Sequence, residues 1–579
     1  MNDKFRYLLA GLLIFLIIVL QPAYLKWLGY DSGATISPVD LEQKSLHVAP
    51  HAAADKQNVG YDTGPTVAQN NEGEFFTTIS TPLYIATLSN KGGGSFNKYL
   101  LINKKNGSLQ HSGGFNDDGR FIKEDPVSLI MPNPVGCQPC LASYVDGEYD
   151  LLNAPFRLIS PISKDSIYLS ANESLSLKYV LYDKNGTELI KKIITFDANN
   201  YSSQHEFFIN SQHLRHKTSL ELVWLNGLRP TEEKVSEDVQ YSSGIISQAK
   251  EMEDIQTNDP KKTIQRTVYN GKTDWVAIRS KYFISSLIAN SANNSFATLS
   301  AKNTQFGQRK QTPLYSASIG FPFDQEEILA TLYLGPLDVD YIAKTNSSLD
   351  SAMNWGWSII RPISKGILWF LKFLHNTFKL NYGLVLLLFA VLVRLITGPL
   401  TKKSYESTQK MQKIQPQIKK IQEKFKKDPQ RLNKEMMLMY KTHGVNPLGG
   451  CLPMLLQMPL LMALFVVFRT TIEFRGQPFV FWISDLSKPD VIFSLPFNIP
   501  IYGDGVAILP LLMGLTLFLT MKMSSATMDS SQKPVMYIMN GFFILLFNSF
   551  PSGLNLYYTT YNLLSFFQQK GIRKKLSNS

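Results

Sequence analysis

The chain has 579 residues, 44% hydrophobic and 18% charged, with a mean hydropathy of −0.07. That is long enough for several domains, and the near-zero hydropathy averages an apolar part with a soluble one, which excludes a chain of one uniform kind. The formal net charge of +12 is local: residues 401–445 carry +8, the tail 570–579 carries +4, and the remainder sums to zero. Basic excess beside apolar spans is the positive-inside signal, and it offers two surfaces to anionic membrane lipids or RNA; no DNA partner is expected.

In chain order, Tyr7–Leu25 is a 19-residue stretch without charge, flanked by Lys4, Arg6 and Lys26. It is longer than the apolar core of a cleavable signal peptide and reads as an uncleaved N-terminal transmembrane anchor over residues 1–30, its start in the cytoplasm. Residues 31–74 are polar and aperiodic, a flexible linker. Residues 75–342 change character, with short β-branched or alternating runs at Leu175–Tyr182, Leu189–Phe196, His205–Asn210 and Trp275–Phe283. Asp183–Gly186 is a hairpin signal between two of them, and the whole reads as one large β-sandwich. His205, His213 and His216 are read as surface or turn residues rather than metal ligands. Cys137 and Cys140 form a CxxC without a second pair, which favours a local structural disulfide over redox or zinc chemistry.

Residues 355–379 alternate apolar and basic positions at helical spacing and read as an interfacial amphipathic helix. Leu380–Thr401 is then 22 residues long, enough to span a bilayer, and contains one charge, Arg394. An arginine inside the membrane costs about 2.5–3.5 kcal/mol on insertion scales, so it should face protein or water. No apolar span supplies an acid to pair with it, so water, carbonyls or a transient guest must satisfy the guanidinium. Residues 402–445 follow as a basic helical hairpin. Met411, Ile414, Ile418, Ile421 and Phe425 form one stripe, Leu432, Met436, Met439 and Tyr440 another, and Pro416 is expected to bend the first arm.

Residues 446–569 supply four further spans: the proline-rich third, ending at Phe468; Gly505–Met521; and two short ones from Pro534–Gln569, split at Pro551-Ser552-Gly553. The intervening connection to Asp504 has a net charge of −1 and should lie outside. Asn540, Asn548, Asn555, Thr559, Thr560 and Asn562 near the last break, with Gln457 in the third span, point to a hydrated recess around Arg394; interhelical hydrogen bonding is the plainer use of the same residues. Residues 570–579 are a basic cytoplasmic tail.

The large outward β domain, the Arg394 span, the charged hairpin, GGCLPMLLQMPLLMAL (449–464) and FPSGLNLYYTTYNLL (550–564) together resemble the YidC-type membrane protein insertases of the bacterial inner membrane. The resemblance covers the whole chain. It implies six transmembrane helices, five of them forming a core with a groove open to lipid and cytoplasm, and a periplasmic β-supersandwich. It places the groove arginine at Arg394 and an apolar client-contact strip at Leu461, Met513, Tyr557 and Tyr558. Gln457, Asn555 and Asn562 complete the expected groove. Ala390 stands where many relatives carry threonine. The implied partners are nascent membrane proteins, a Sec translocon and, weakly, the ribosome. No cofactor, metal or catalytic residue is expected, and insertion is expected to proceed without nucleotide hydrolysis. The alternative readings of the same groove are a lipid scramblase or a secondary transporter. The latter is disfavoured because the spans lack a coupling carboxylate. An enzyme or sugar-binding module in the β domain is the third class, on shape alone.

Overall fold

The structure is a computed structural model of the full chain. It describes residues 73–577 apart from 106, 133–137, 151–152, 161–165, 211–218, 258, 260–261, 307–309, 323, 427, 445–451, 500–501 and 526–532. The expected anchor Tyr7–Leu25, nearly all of the linker, His213, His216, Cys137 and Cys451 therefore lie outside the described residues. The chain divides into two compact units: Asp31–Met353, and Asn354–Ser579 together with residues 1–30.

The first unit is β-rich. A nine-stranded sheet contains Ser174–Tyr182, Glu188–Asp197 and Ser202–Ile209, then Glu327–Pro336, Phe283–Ala289, Thr273–Arg279 and Ser243–Gln248 as successive neighbours. A six-stranded sheet, centred on Leu220–Trp224, Phe296–Phe306 and Lys310–Phe321, packs against it. Trp224, Trp275 and Tyr315 are fully buried in this unit. Their burial removes large apolar areas from water, the main driving force for such a sandwich. A four-stranded sheet (Ser166–Tyr168, Phe76–Ser80, Tyr84–Ser89 and Ser95–Leu101) adds a third layer. It meets the nine-stranded sheet through Phe96 edge-on to Phe196. A short helix, α1 (Val235–Tyr241), interrupts the strands, and a second, α2 (Val339–Ala343), follows the last of them.

The Asp183–Gly186 turn forms as its residues dictate. Asp183 Oδ1 accepts from the backbone N–H groups of Asn185 (2.8 Å) and Thr187 (2.7 Å), and Gly186 takes the positive φ of 83°. Two expectations need correction. Trp275–Phe283 is not one strand: it breaks at Ser280, whose N–H donates to Phe283 O (2.8 Å) in a tight turn without glycine or asparagine. His205 is not at the surface: it is buried in its strand, with Nε2 2.9 Å from Ser203 Oγ. Cys140 is disulfide-bonded.

The second unit is helical. α3 (Arg361–Phe378) starts six residues later than the expected amphipathic segment and buries Ser364, Ile367, Leu368 and Leu371, one stripe at helical spacing. Lys379 ends it in the left-handed conformation (φ 51°), and Asn381 caps the next helix by accepting from Gly383 N–H (2.7 Å). α4 (Tyr382–Lys424) is one helix of 43 residues, joining the expected arginine span to the first arm of the basic hairpin. Pro399 and Pro416 both lie inside it, so Pro416 does not end the arm. α5 (Pro429–Thr442) folds back from the Asp428 N-cap, whose carboxylate accepts from Arg431 N–H (3.1 Å). Ile414 and Ile418 are buried against Met411, Met436, Met439 and Tyr440, so the two predicted stripes do meet.

α6 (Leu452–Thr470), α7 (Ile508–Ser525), α8 (Lys533–Phe547) and α9 (Ser552–Ser577) complete the unit. Gly505–Ala507, expected to start a span, belongs instead to a two-stranded ribbon (Val491–Ile499 with Gly503–Ala507), and α7 begins only at Ile508. The break at Pro551-Ser552-Gly553 falls between α8 and α9. α9 continues through the basic residues to Ser577, so the 570–579 segment is mostly helix rather than a loose tail.

Candidate functional site

α4 has two faces within its apolar part. Leu384, Leu388, Val391, Leu392, Leu395 and Ile396 are exposed, whereas Leu386, Phe389, Ala390, Val393 and Arg394 are buried, which is the i, i+3, i+4 pattern of one inward stripe. Arg394 is thus on the inner face, and only 7% exposed. The packing partner is α9, whose Gln568 side chain lies over Gly398: a Cβ there would meet Nε2 at 2.8 Å. Small residues at such crossings let helices approach where lipid removes the hydrophobic drive for association.

The guanidinium meets only neutral groups among the described residues. Nη1 lies 3.4 Å from Tyr561 Oη and 3.5 Å from Thr401 Oγ1, and Cζ is 5.4 Å from the Tyr561 ring centroid. Nε and Nη2 are buried without a hydrogen-bond partner among those residues. Thr397 and Thr401 donate their hydroxyl protons to the carbonyls of Val393 (2.8 Å) and Thr397 (3.0 Å), which fixes their oxygens; Thr401 Oγ1 then accepts from the guanidinium only at 3.5 Å, the outer limit of a hydrogen bond. A buried cation with two donor nitrogens unused and no counter-ion among the described residues can attract a carboxylate or a free carbonyl strongly, because little water competes.

An aromatic column extends from this point. Tyr561 stacks with Tyr557 (6.0 Å, 22°), Tyr557 packs against Phe389 (5.6 Å) and stands edge-on to Tyr558 (5.0 Å, 88°), and Tyr558 meets Phe547 (5.9 Å). Tyr557 and Tyr558 are buried with hydroxyls that have no partner among the described residues. Tyr561 is the residue that the sequence reading missed. Its signal was available: α9 positions 554, 557, 558 and 561 share one face, the face that has to meet α4.

The other expected groove residues divide. Met513 on α7 is buried, Gln457 and Leu461 on α6 are half-buried, and Asn562 is buried, its carbonyl accepting from Thr520 Oγ1 (3.2 Å) across the α7–α9 contact. Asn555 uses its amide N–H groups in packing, while its buried Oδ1 has no partner among the described residues. The residue is fully buried and donates to the carbonyls of Phe547 (3.1 Å) and Phe550 (3.4 Å), closing the α8–α9 turn. Asn548 holds Ala507 N–H, Tyr502 O and Gly505 O, and Asn540 donates to Gly514 O (3.4 Å). These three amides serve packing, the plainer of the two uses weighed from the sequence. Among the described residues no cluster of three or more His, Cys, Asp or Glu could hold a metal.

Among the described residues one helical stretch, Tyr382–Ser404, is long and apolar enough to cross a membrane; it belongs to the helical unit, and the β-rich unit is separate. Comparison with known proteins gives the class. The family model described as "60Kd inner membrane protein" matches residues 373–579, and the one described as "YidC periplasmic domain" matches residues 162–370. A membrane protein insertase YidC from Chlorobium limicola is 32% identical over 88% of this chain and 84% of its own. One from Chlorobaculum tepidum is 31% identical over 85% and 80%, and one from Chlorobaculum parvum 30% identical over 97% and 94%. The chain belongs to the YidC membrane protein insertase family, inner membrane proteins of bacteria with a periplasmic domain.

Proposed function

We propose that the chain receives nascent membrane proteins from the cytoplasm and releases their apolar segments into the lipid bilayer past the inner face of α4. The observation that carries this reading is Arg394: a buried guanidinium with unused donors and, among the described residues, no acid beside it. A resident ion pair would make such a residue structural; with none among the described residues, the charge is open to a guest. The polar flank of a client is held transiently near Arg394. Its apolar part passes the side formed by Leu461, Met513, Tyr557 and Tyr558, with Gln457 and Asn562 at the polar margin. Partition of about 20 apolar residues into lipid supplies the drive, so no nucleotide hydrolysis is invoked. The packed aromatic column has to open for this passage, which gives the site two states rather than a standing channel. A chaperone role follows from the same contacts, since a segment held there is shielded while it folds.

In this reading six spans cross the membrane, both termini lie in the cytoplasm and the β-rich unit faces outward. The basic hairpin of α4 and α5 and the end of α9 meet the ribosome and anionic lipids, and a Sec translocon works alongside. No observation of its own favours a transporter or scramblase. The test is site-specific photocrosslinking from positions 461 and 558 to ribosome-bound nascent chains of increasing length. Crosslinks should appear when a client's first apolar segment emerges and fade as it reaches lipid. Crosslinks that never appear, in a protein that is folded and membrane-bound, would refute the reading.

A further inference from the structure

We propose that the connection between α6 and α7 carries a lipid-binding surface that rests in the outer leaflet of the membrane, taking phospholipid acyl chains without selecting headgroup charge. Phe481 begins the argument. It is 90% exposed and held at φ 59°, a left-handed conformation that a bulky residue adopts only at a cost of about 1–3 kcal/mol. A strained backbone that presents a phenylalanine outward is doubly unfavourable in water. Its ring stacks on Trp482 (5.9 Å, 28°), whose indole N–H donates to Asp490 Oδ2 (2.8 Å). The same oxygen accepts from the backbone N–H groups of Ile508 (3.2 Å) and Leu509 (2.8 Å), so the aromatic pair is tied to the first turn of α7.

The ribbon that follows repeats the pattern. Ile492, Phe493 and Phe497 are 56%, 60% and 61% exposed and fall on both faces of the strand. A two-stranded ribbon has no core of its own, and apolar side chains on both faces call for an apolar medium around it. Its place in the fold says which medium. Phe474 packs edge-on to Tyr382 (5.1 Å) and Asn381 donates to Pro478 O (2.8 Å), which puts the connection at the N-terminal end of α4, the end opposite the basic hairpin and so, in the proposed orientation, the outer one. Asn548 fixes the second strand to the α8–α9 turn at the same end. Apolar rings beside a tryptophan whose N–H is satisfied inward, at the outer ends of membrane helices, match the interfacial aromatic belt. Residues 476–507 carry a single base, Lys488, against Asp485, Asp490 and Asp504, so anionic headgroups gain nothing there.

The experiment places an environment-sensitive dye on cysteine in the full-length protein, with Cys451→Ser in the background, at Phe481→Cys and Phe497→Cys. Leu395→Cys on the exposed face of α4 serves as the lipid reference, and Lys184→Cys in the hairpin turn of the β-rich unit as the water reference. The purified protein is reconstituted in phosphatidylcholine vesicles, with and without phosphatidylglycerol. Lipids spin-labelled near the glycerol should quench positions 481 and 497 within about twofold of position 395, and iodide at least threefold less than position 184, equally in both vesicles. Quenching by iodide as at position 184, with none by spin-labelled lipid, overturns the proposal. Shielding seen only in native membranes overturns it too and assigns the surface to a protein partner. Lipid quenching that requires phosphatidylglycerol overturns the indifference to charge.

Discussion

The phenol of Tyr561 is the nearest polar group that α9 offers to Arg394, with Oη 3.4 Å from Nη1 and the ring centroid 5.4 Å from Cζ. This pairing cannot neutralise the guanidinium. A cation over a desolvated aromatic ring gains about 2 kcal/mol, whereas burying an ion costs several. Arg394 is therefore placed by Tyr561 but not discharged by it, and the charge remains available.

The first prediction separates charge from geometry. Arg394→Lys keeps the point charge and loses the planar fork, so it should retain most insertion activity. Arg394→Ala should fail chiefly for clients with acidic outward tails, and Arg394→Glu should fail worst. Steady-state protein level and insertion of acidic-tail and neutral-tail clients are measured for all three. Equal defects for both clients, together with lowered protein level, would make Arg394 part of the scaffold.

Tyr561 supplies the second. Tyr561→Phe keeps the stack on Tyr557 and removes one long hydrogen bond, about 0.5–1 kcal/mol, so insertion of acidic-tail clients should fall two- to fivefold. Tyr561→Ala removes the ring as well and should fall further at unchanged topology. If Phe matches wild type for every client while Ala unfolds the protein, Tyr561 is packing and does not position Arg394.

Much of this arrangement could be read from the residues, and where it could not the cause is physical. The Arg394 stripe and the hairpin seam follow from helical periodicity, which survives any tertiary context. What periodicity could not say is that α4 runs unbroken through Pro399 and Pro416, because a proline bends a helix as readily as it ends one. The ribbon was invisible because Val491–Ile499 lay in the outward connection, while the uncharged end of its partner strand, Gly505–Ala507, runs on without a break into the apolar residues of α7. Asn555 was assigned to the recess because an amide's type does not reveal its partner; only the α8–α9 turn shows that two carbonyls claim it. His205 was placed at the surface by its polarity, against a burial that a serine hydroxyl two residues away makes possible.

The third prediction concerns the basic hairpin. Among the described residues its two arms meet chiefly through a small seam, Ile414 and Ile418 against Met436, Met439 and Tyr440, so one charge there should open it. Ile418→Asp should make residues 425–441 susceptible to protease in inside-out vesicles while α4 still spans the membrane. If the hairpin receives clients, insertion of a small test protein should drop at least tenfold. Normal insertion with an opened hairpin would reduce its role to orientation by charge.

The last prediction lies in the β-rich unit. Lys192 is fully buried, with Nζ donating to Pro139 O (2.8 Å) and lying 5.2 Å from the ring centroid of Phe207, its cross-strand neighbour. Burial pushes its amine down to about 7, and the same burial, with Lys192 nearby, keeps His205 well below its usual range. Between the folded value and the ordinary lysine value of 10.5, the unfolded chain holds a proton that the folded chain does not. Stability therefore rises with pH across that window, and the cost is complete below about 7. From pH 7 to 9 the gain should be about 2–3 kcal/mol, or about 4–6 °C in Tm for a unit of this size. Lys192→Met should abolish this slope and raise Tm at pH 7, because a thioether fills the site without a charge to desolvate. Thermal unfolding of the β signal in detergent-solubilised full-length protein, wild type and variant, at pH 7, 8 and 9 decides it. Parallel pH profiles for the two proteins would mean that Lys192 keeps its proton in the fold, with Pro139 O and the Phe207 ring together solvating the ammonium.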